Sequence, residues 1–147
     1  MDLLLLDRLL QIGDLFQRDM ARAFEGTGLT TARVHLLWTL QHAGPSTQRE
    51  LARLCEVTPR NITGLVDALE ASGHVRRMPH PSDRRAVLVE LTASAAETMT
   101  QMQKEHSDLN ATLLEAVAPE DRRTVERGIT AIADRLGTLV AQAGGTP

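Results

Sequence analysis

Four arginines and a single aspartate crowd the ten residues from Arg76 to Arg85, in a chain whose formal net charge is −3. Arginine's planar fork pairs with phosphate oxygens and, two bonds at a time, with guanine edges, so such a cluster has the chemistry of a polyanion-binding surface. Residues 46–91 hold seven arginines against six acids, whereas the remainder holds nine basic residues against thirteen acids. DNA binding needs a basic face rather than a basic chain, and this split supplies one. Just upstream, Arg60, Asn61, Thr63, Gly64, Asp67 and Ala68 form the outer side of a helix whose apolar side is Ile62, Leu65, Val66 and Leu69. Guanidinium pairs with guanine and carboxamide with adenine in the major groove, which makes Arg60 and Asn61 the expected base readers. Thr63 would meet a phosphate or a thymine methyl, and Gly64 would allow close approach. Arg76, Arg77 and Arg84 are phosphate candidates.

Other reactive groups carry less. The single cysteine, Cys55, excludes an internal disulfide framework and a cysteine-rich zinc site. Beside Leu51 and Leu54 it reads as a buried small hydrophobe instead of a redox sensor. His35 and His42 are seven residues apart, roughly 10 Å along one helix and too far to share an ion. His74 and His80 lie near the arginines, where weak phosphate contact is expected. His106 interrupts an apolar stripe and reads as a hydrogen-bonded core or interface residue, with a pocket or pH-sensitive role as the alternative. The sequence has no phosphate-cradling glycine loop, nucleophile elbow or His-Glu-x-x-His, so no catalytic residue, cofactor or metal site is expected.

The elements that must position these groups follow from periodicity and caps. At 147 residues the chain fits one domain with helical extensions. No apolar run approaches the eighteen or so residues of a membrane span. Leu3 to Leu6, between Asp2 and Asp7, lacks the flanks of a signal peptide, so a cytoplasmic protein is expected. A first helix runs from Asp2 to Phe24 on Leu5, Leu9, Ile12 and Phe16. Gly26 and Gly28 end it. A second starts after Thr30 or Thr31, carries Val34, Leu37, Trp38 and Leu40, and stops at Gly44-Pro45. Thr47 and Glu50 form a capping box over a short helix with Leu51, Ala52 and Leu54. Thr58 caps the next helix, with Pro59 at its first position, and Gly73 closes it. Two short helices across a tight turn make a helix-turn-helix.

Val75-Arg76-Arg77 and Ala86 to Leu91 are β-prone runs around a loop containing Pro79 and Pro81, which describes a wing with a basic tip. A long helix from Thr92 to Val117 carries Ala95, Met99, Met102, His106, Leu109 and Leu113. Ala118-Pro119-Glu120-Asp121 restarts a final helix on Val125, Ile129, Ile132, Leu136 and Leu139, and Gly144 to Pro147 reads as a frayed tail. A winged helix needs no such amphipathic helices at its two ends, so they are expected to pair two copies as a homodimer.

With these elements in order, the chain resembles the MarR family of bacterial transcription regulators over nearly its whole length. The segment Asp83-Arg84-Arg85-Ala86-Val87-Leu88-Val89-Glu90-Leu91-Thr92 matches the family's wing pattern of aspartate, any residue, arginine, then a strand ending in Leu-Thr. Leu29-Thr30, Glu50-Leu51-Ala52, and Leu65-Val66-Asp67 through Leu69-Glu70 match as well. Gly64 and Ala68 depart from it, standing where relatives often carry longer polar or basic side chains, and Ala93-Ser94-Ala95 lacks a glycine many members have.

The resemblance implies a mainly α fold with a small β-hairpin wing: a winged helix-turn-helix at 30–92 flanked by dimerisation helices at 1–25 and 93–143. It implies an obligate dimer on a pseudo-palindromic duplex, with two recognition helices in successive major grooves and two wings near the minor groove. Arg85 matches the arginine that would enter that groove, Asp83 would hold the loop, and Thr47 and Thr58 join the DNA-binding set. The family's small ligands, often phenolic or otherwise aromatic acids, commonly bind between the dimerisation helices and the winged domain and weaken DNA binding. His35, Trp38 and His106 are the candidates for lining such a pocket. The expected function is therefore a sequence-specific DNA-binding regulator, a dimeric repressor released by a small ligand. A winged-helix protein-interaction module with little DNA affinity is the alternative, and an enzyme acting through His106 alone is disfavoured.

Overall fold

Four threonines start helices in this chain because each hydroxyl accepts from a backbone amide that the helix itself leaves free, Thr92 doing so from Ala95 at the start of the helix Ala93–Glu115. Thr30 accepts from Arg33, Thr47 from Glu50 and Thr58 from Asn61. At the other ends, Gly44 and Gly73 adopt φ of 76° and 79°, a left-handed geometry that a Cβ would strain. The computed structural model describes residues 4–145. Asp2, where the first helix was expected to begin, and Thr146-Pro147 of the expected tail lie outside the described residues.

The elements are α1 (Leu4–Phe24), α2 (Thr31–Ala43), β1 (Ser46–Thr47), α3 (Gln48–Leu54), α4 (Pro59–Ala71), β2 (Val75–Pro79), β3 (Val87–Leu91), α5 (Ala93–Glu115) and α6 (Arg122–Gly144). The fold is mainly α with a small antiparallel sheet of order β1-β3-β2. Val75 pairs with Leu91 and Pro79 with Val87, which defines the wing hairpin, and Ser46 pairs with Val89. The sequence reading lacks β1, because a two-residue strand has no period of its own and exists only by borrowing the free edge of β3.

The chain divides into two units, Met1–Gln101 and Met102–Pro147. In the first, Leu36, Leu37, Leu51, Ile62, Val66, Leu69, Val75, Val89 and Met99 are buried almost completely. Several expectations change here. Leu36 joins the core while Trp38 is only half-buried, and Leu65 is half-buried too. Leu54 is 41% exposed. Cys55 is half-buried, not buried, and its thiol lies 3.5 Å from the Thr39 hydroxyl at the end of α3. On α1, Leu4, Leu5, Leu6, Leu10, Ile12, Leu15 and Phe16 are exposed.

In the second unit, Arg122 Nε donates to the carbonyls of Leu114 and Val117 at 3.0 and 3.1 Å, which closes the turn between α5 and α6. That closure explains why α6 begins at Arg122 and not at Pro119. Residues 119–121 remain in the turn, and Asp121 makes no side-chain cap. Leu109, Leu113, Ile129, Leu136, Leu139 and Val140 are exposed, and so is His106, which leaves the interface and not the core reading of it.

Leu69 has no exposed surface, so Leu69→Ala should lower the unfolding free energy by about 2–5 kcal/mol in a urea titration. Leu54→Ala should stay within about 0.5 kcal/mol of the parent.

Candidate nucleic-acid interface

The helix-turn-helix is built from two caps and one left-handed residue. The Thr47 hydroxyl accepts from the Glu50 amide at 3.2 Å while the Glu50 carboxylate accepts from the Thr47 amide at 2.8 Å, completing the capping box. The Val57 amide reaches back to the Ala52 carbonyl at 3.0 Å, and Glu56 between them takes a φ of 54°. This conformation is costly for a residue with a side chain, and it turns α3 into α4 within a few residues. Thr58 then caps α4 at 3.1 Å through Asn61 N–H. Thr47 and Thr58 thus each use one lone pair in a cap and keep their hydroxyl protons available.

On the outer side of α4, Arg60, Asn61 and Gly64 are exposed, and neither Arg60 nor Asn61 makes a side-chain hydrogen bond or ion pair among the described residues. Thr63 is exposed but engaged. Its hydroxyl donates to the Pro59 carbonyl at 3.0 Å and accepts from Gln48 Nε2 at 3.1 Å.

The wing separates its four arginines into two kinds. Arg84 and Arg85 are exposed at the tip without side-chain partners among the described residues. The tip itself is ordered by a relay. His80 Nδ1 accepts from the amides of Ser82 and Asp83 at 3.2 and 3.1 Å, and the Asp83 carboxylate accepts from the Arg85 amide at 2.9 Å. His80 therefore orders the loop through Nδ1. Lower down the hairpin, Arg76 pairs across the strands with Glu90.

Arg77 sits differently from its expected place as a phosphate contact. Its side chain is 26% exposed and reaches Asp67 at 2.6 Å and Glu70 at 2.8 Å, both on α4. Nε and Nη2 also donate to Gln48 Oε1 at 3.2 and 2.9 Å, and the Arg77 amide donates to Glu70 at 3.2 Å. Burial pulls the guanidinium's pKa down, but the hydrogen bonds and charges of Asp67 and Glu70 outweigh it and leave the value raised. A raised value in a cation means stability that is lost only as pH rises through the folded-state pKa, so the cluster keeps this charge throughout the ordinary range. Gln48, Asp67 and Glu70 are the functional residues that the sequence reading passes over. The available signal was a carboxylate pair at i and i+3 on α4, spaced to meet one cation.

His35 is exposed on α2, Trp38 is half-buried with its ring 5.9 Å from that of His42, and His106 lies in the second unit. A cleft of about 360 Å³ in the first unit is lined instead by Gln17, Met20, Phe24, Glu25, Leu29 and Thr30 among others. Among the described residues, no group of three or more His, Cys, Asp or Glu could hold a metal ion.

The family model described as the MarR family matches residues 29–87, the span from the start of α2 to the start of β3. The chain is 31% identical over 99 residues to the multiple antibiotic resistance protein MarR of Escherichia coli, covering 67% of this chain and 69% of that protein. It is 37% identical over 90 residues to the transcriptional activatory protein BadR of Rhodopseudomonas palustris, 59% of this chain, and spans about half (51%) of that relative's length. In fold it matches the crystal structure of Streptococcus pneumoniae FabT in complex with DNA, with a TM-score of 0.81 over 92% of this chain and 96% of that one. At 18% identity that likeness shows the fold alone.

If Arg77 clamps β2 to α4, Arg77→Lys, which keeps the charge but loses the fork, should speed amide hydrogen exchange in β2 and β3 about fivefold, the worth of one net hydrogen bond. Exchange at Val66 and Leu69 should hold steady. Unchanged exchange in the hairpin would contradict the clamp.

Proposed function

This chain belongs to the MarR family, and from that premise we propose that it is a sequence-specific, double-stranded DNA-binding transcription regulator acting as a homodimer. The observation that carries the proposal is the division of labour among its polar residues. Arg60 and Asn61 on α4, and Arg84 and Arg85 at the wing tip, are exposed and uncommitted, while Arg77 spends its fork inside the protein. A recognition helix in the major groove with base-reading side chains at its start, and a basic wing beside it, is the arrangement a winged helix needs.

The homodimer is supported by the apolar residues left exposed on α1 and, separately, on α6. So many large apolar side chains left in water on single helices are what an association face supplies. Two copies would read a pseudo-palindromic duplex whose half-sites lie about one helical turn apart. We further propose that the protein is a repressor released by a small aromatic acid. The cleft at the junction of α1 and α2 is the better candidate for holding such a molecule, because Met20, Phe24 and Leu29 offer apolar contact beside Thr30 and Gln17.

Arg85→Ala should weaken binding to every duplex and reduce the slope of log affinity against log salt by about one. Asn61→Ala and Arg60→Ala should instead change preference at one position by about 1–3 kcal/mol. Both are measured by titrating labelled duplexes at several salt concentrations. Tight binding with an unaltered salt slope in Arg85→Ala would remove the wing from the interface, and no duplex binding even at low salt would favour a protein-interaction module.

A further inference from the structure

A chain of hydrogen bonds with a forced direction runs from the wing to the outer side of α4. Arginine has five N–H donors and no acceptor, so the end of Gln48 that meets Arg77 Nε and Nη2 must be its oxygen. The amide nitrogen is thereby turned on Thr63, 3.1 Å away, and there it can only donate. The Thr63 oxygen must accept that bond, and its single proton goes to the Pro59 carbonyl at 3.0 Å. The hydroxyl has nothing left to give.

That polarity decides what Thr63 offers DNA. Phosphate oxygens, guanine N7 and O6, adenine N7 and thymine O4 are all acceptors and need a donor. What this threonine has free is its γ-methyl group and one hydroxyl lone pair, which can meet only an adenine N6 or cytosine N4 amine. Its hydroxyl is turned back toward the α4 backbone and Gln48, while the residue as a whole is exposed. The group in the major groove that a methyl fits is the 5-methyl of thymine.

We infer that Thr63 specifies a thymine through methyl-to-methyl contact, and that Gln48 is the positioning residue that enforces this by occupying the hydroxyl. The inference rests on the proposed DNA-binding function. It narrows the phosphate-or-thymine expectation for Thr63 to the thymine and gives Gln48 the part of deciding between them.

The test uses the full-length protein and a duplex selected by it from a random pool, with each thymine replaced singly by deoxyuridine, which removes only the 5-methyl. At one thymine per half-site the replacement should weaken wild-type binding roughly fourfold, the worth of burying one methyl group. Thr63→Val keeps the methyl and should retain that discrimination. Thr63→Ser keeps the hydroxyl and should lose it. Gln48→Ala, which leaves Asp67 and Glu70 on Arg77 but removes the group bonded to the Thr63 hydroxyl, should reduce the discrimination while leaving the salt slope of binding unchanged. Discrimination that survives in Thr63→Ser, vanishes in Thr63→Val, or is missing from the wild type at every thymine would overturn the inference while leaving DNA binding intact. Failure of the wild type to select any duplex at low salt would overturn both.

Discussion

The Arg77 guanidinium, shared among Gln48, Asp67 and Glu70, is the interaction on which the proposed DNA-facing side depends. It joins three elements: the first residue of α3, 29 residues away in sequence, two acidic residues near the end of α4, and the middle of β2. Exposed ion pairs contribute about 0–1 kcal/mol each, and Asp67 and Glu70 are both substantially solvated, so the cluster is no large store of stability. Its consequence is geometric. Val75 enters the core, Arg76 points away to Glu90, and Arg77 turns back to α4, because successive strand residues face opposite sides. The hairpin therefore leaves α4 in one orientation, and its tip arginines inherit that orientation.

The tip is held separately. His80 fixes the Asp83 amide, and Asp83 fixes the Arg85 amide, so an exposed loop with two prolines presents its arginines from an ordered backbone. Ordering before binding matters because an arginine on a loose loop must lose conformational freedom when it meets a phosphate, and that loss subtracts from affinity. Together the clamp and the relay divide the candidate contacts into those that hold the protein in shape and those free to hold something else.

What was legible in the sequence was whatever a residue settles with neighbours a few positions away. The Thr47-Glu50 box, the Thr58-Pro59 start and the Gly44 stop are of this kind, and they outline the helix-turn-helix. Arg76 and Arg77, by contrast, are identical neighbours in a short basic run, and nothing local separates them. Only the register of β2 on β3 sends one to Glu90 and the other to α4. β1 was invisible for the same reason, since Ser46 and Thr47 become a strand through Val89 and Leu88. The start of α6 was misplaced because Pro119 is a permissible first residue, while the turn that excludes it is closed by Arg122 reaching two carbonyls of the preceding segment. His106 looked like a core interruption because the stripe around it is apolar, but α5 beyond Met99 does not bury that stripe among the described residues of the chain.

On the function proposed above, α4 and the wing form one rigid DNA-reading body, present twice in the working protein. Chemical footprinting of a selected duplex, combining guanine N7 methylation for the major groove with hydroxyl-radical cleavage for the backbone, tests it most directly. Two patches of major-groove protection about one helical turn apart, each accompanied by backbone protection along an adjacent minor groove, are the predicted result. A single unpaired patch, or major-groove protection with no minor-groove component, would contradict it.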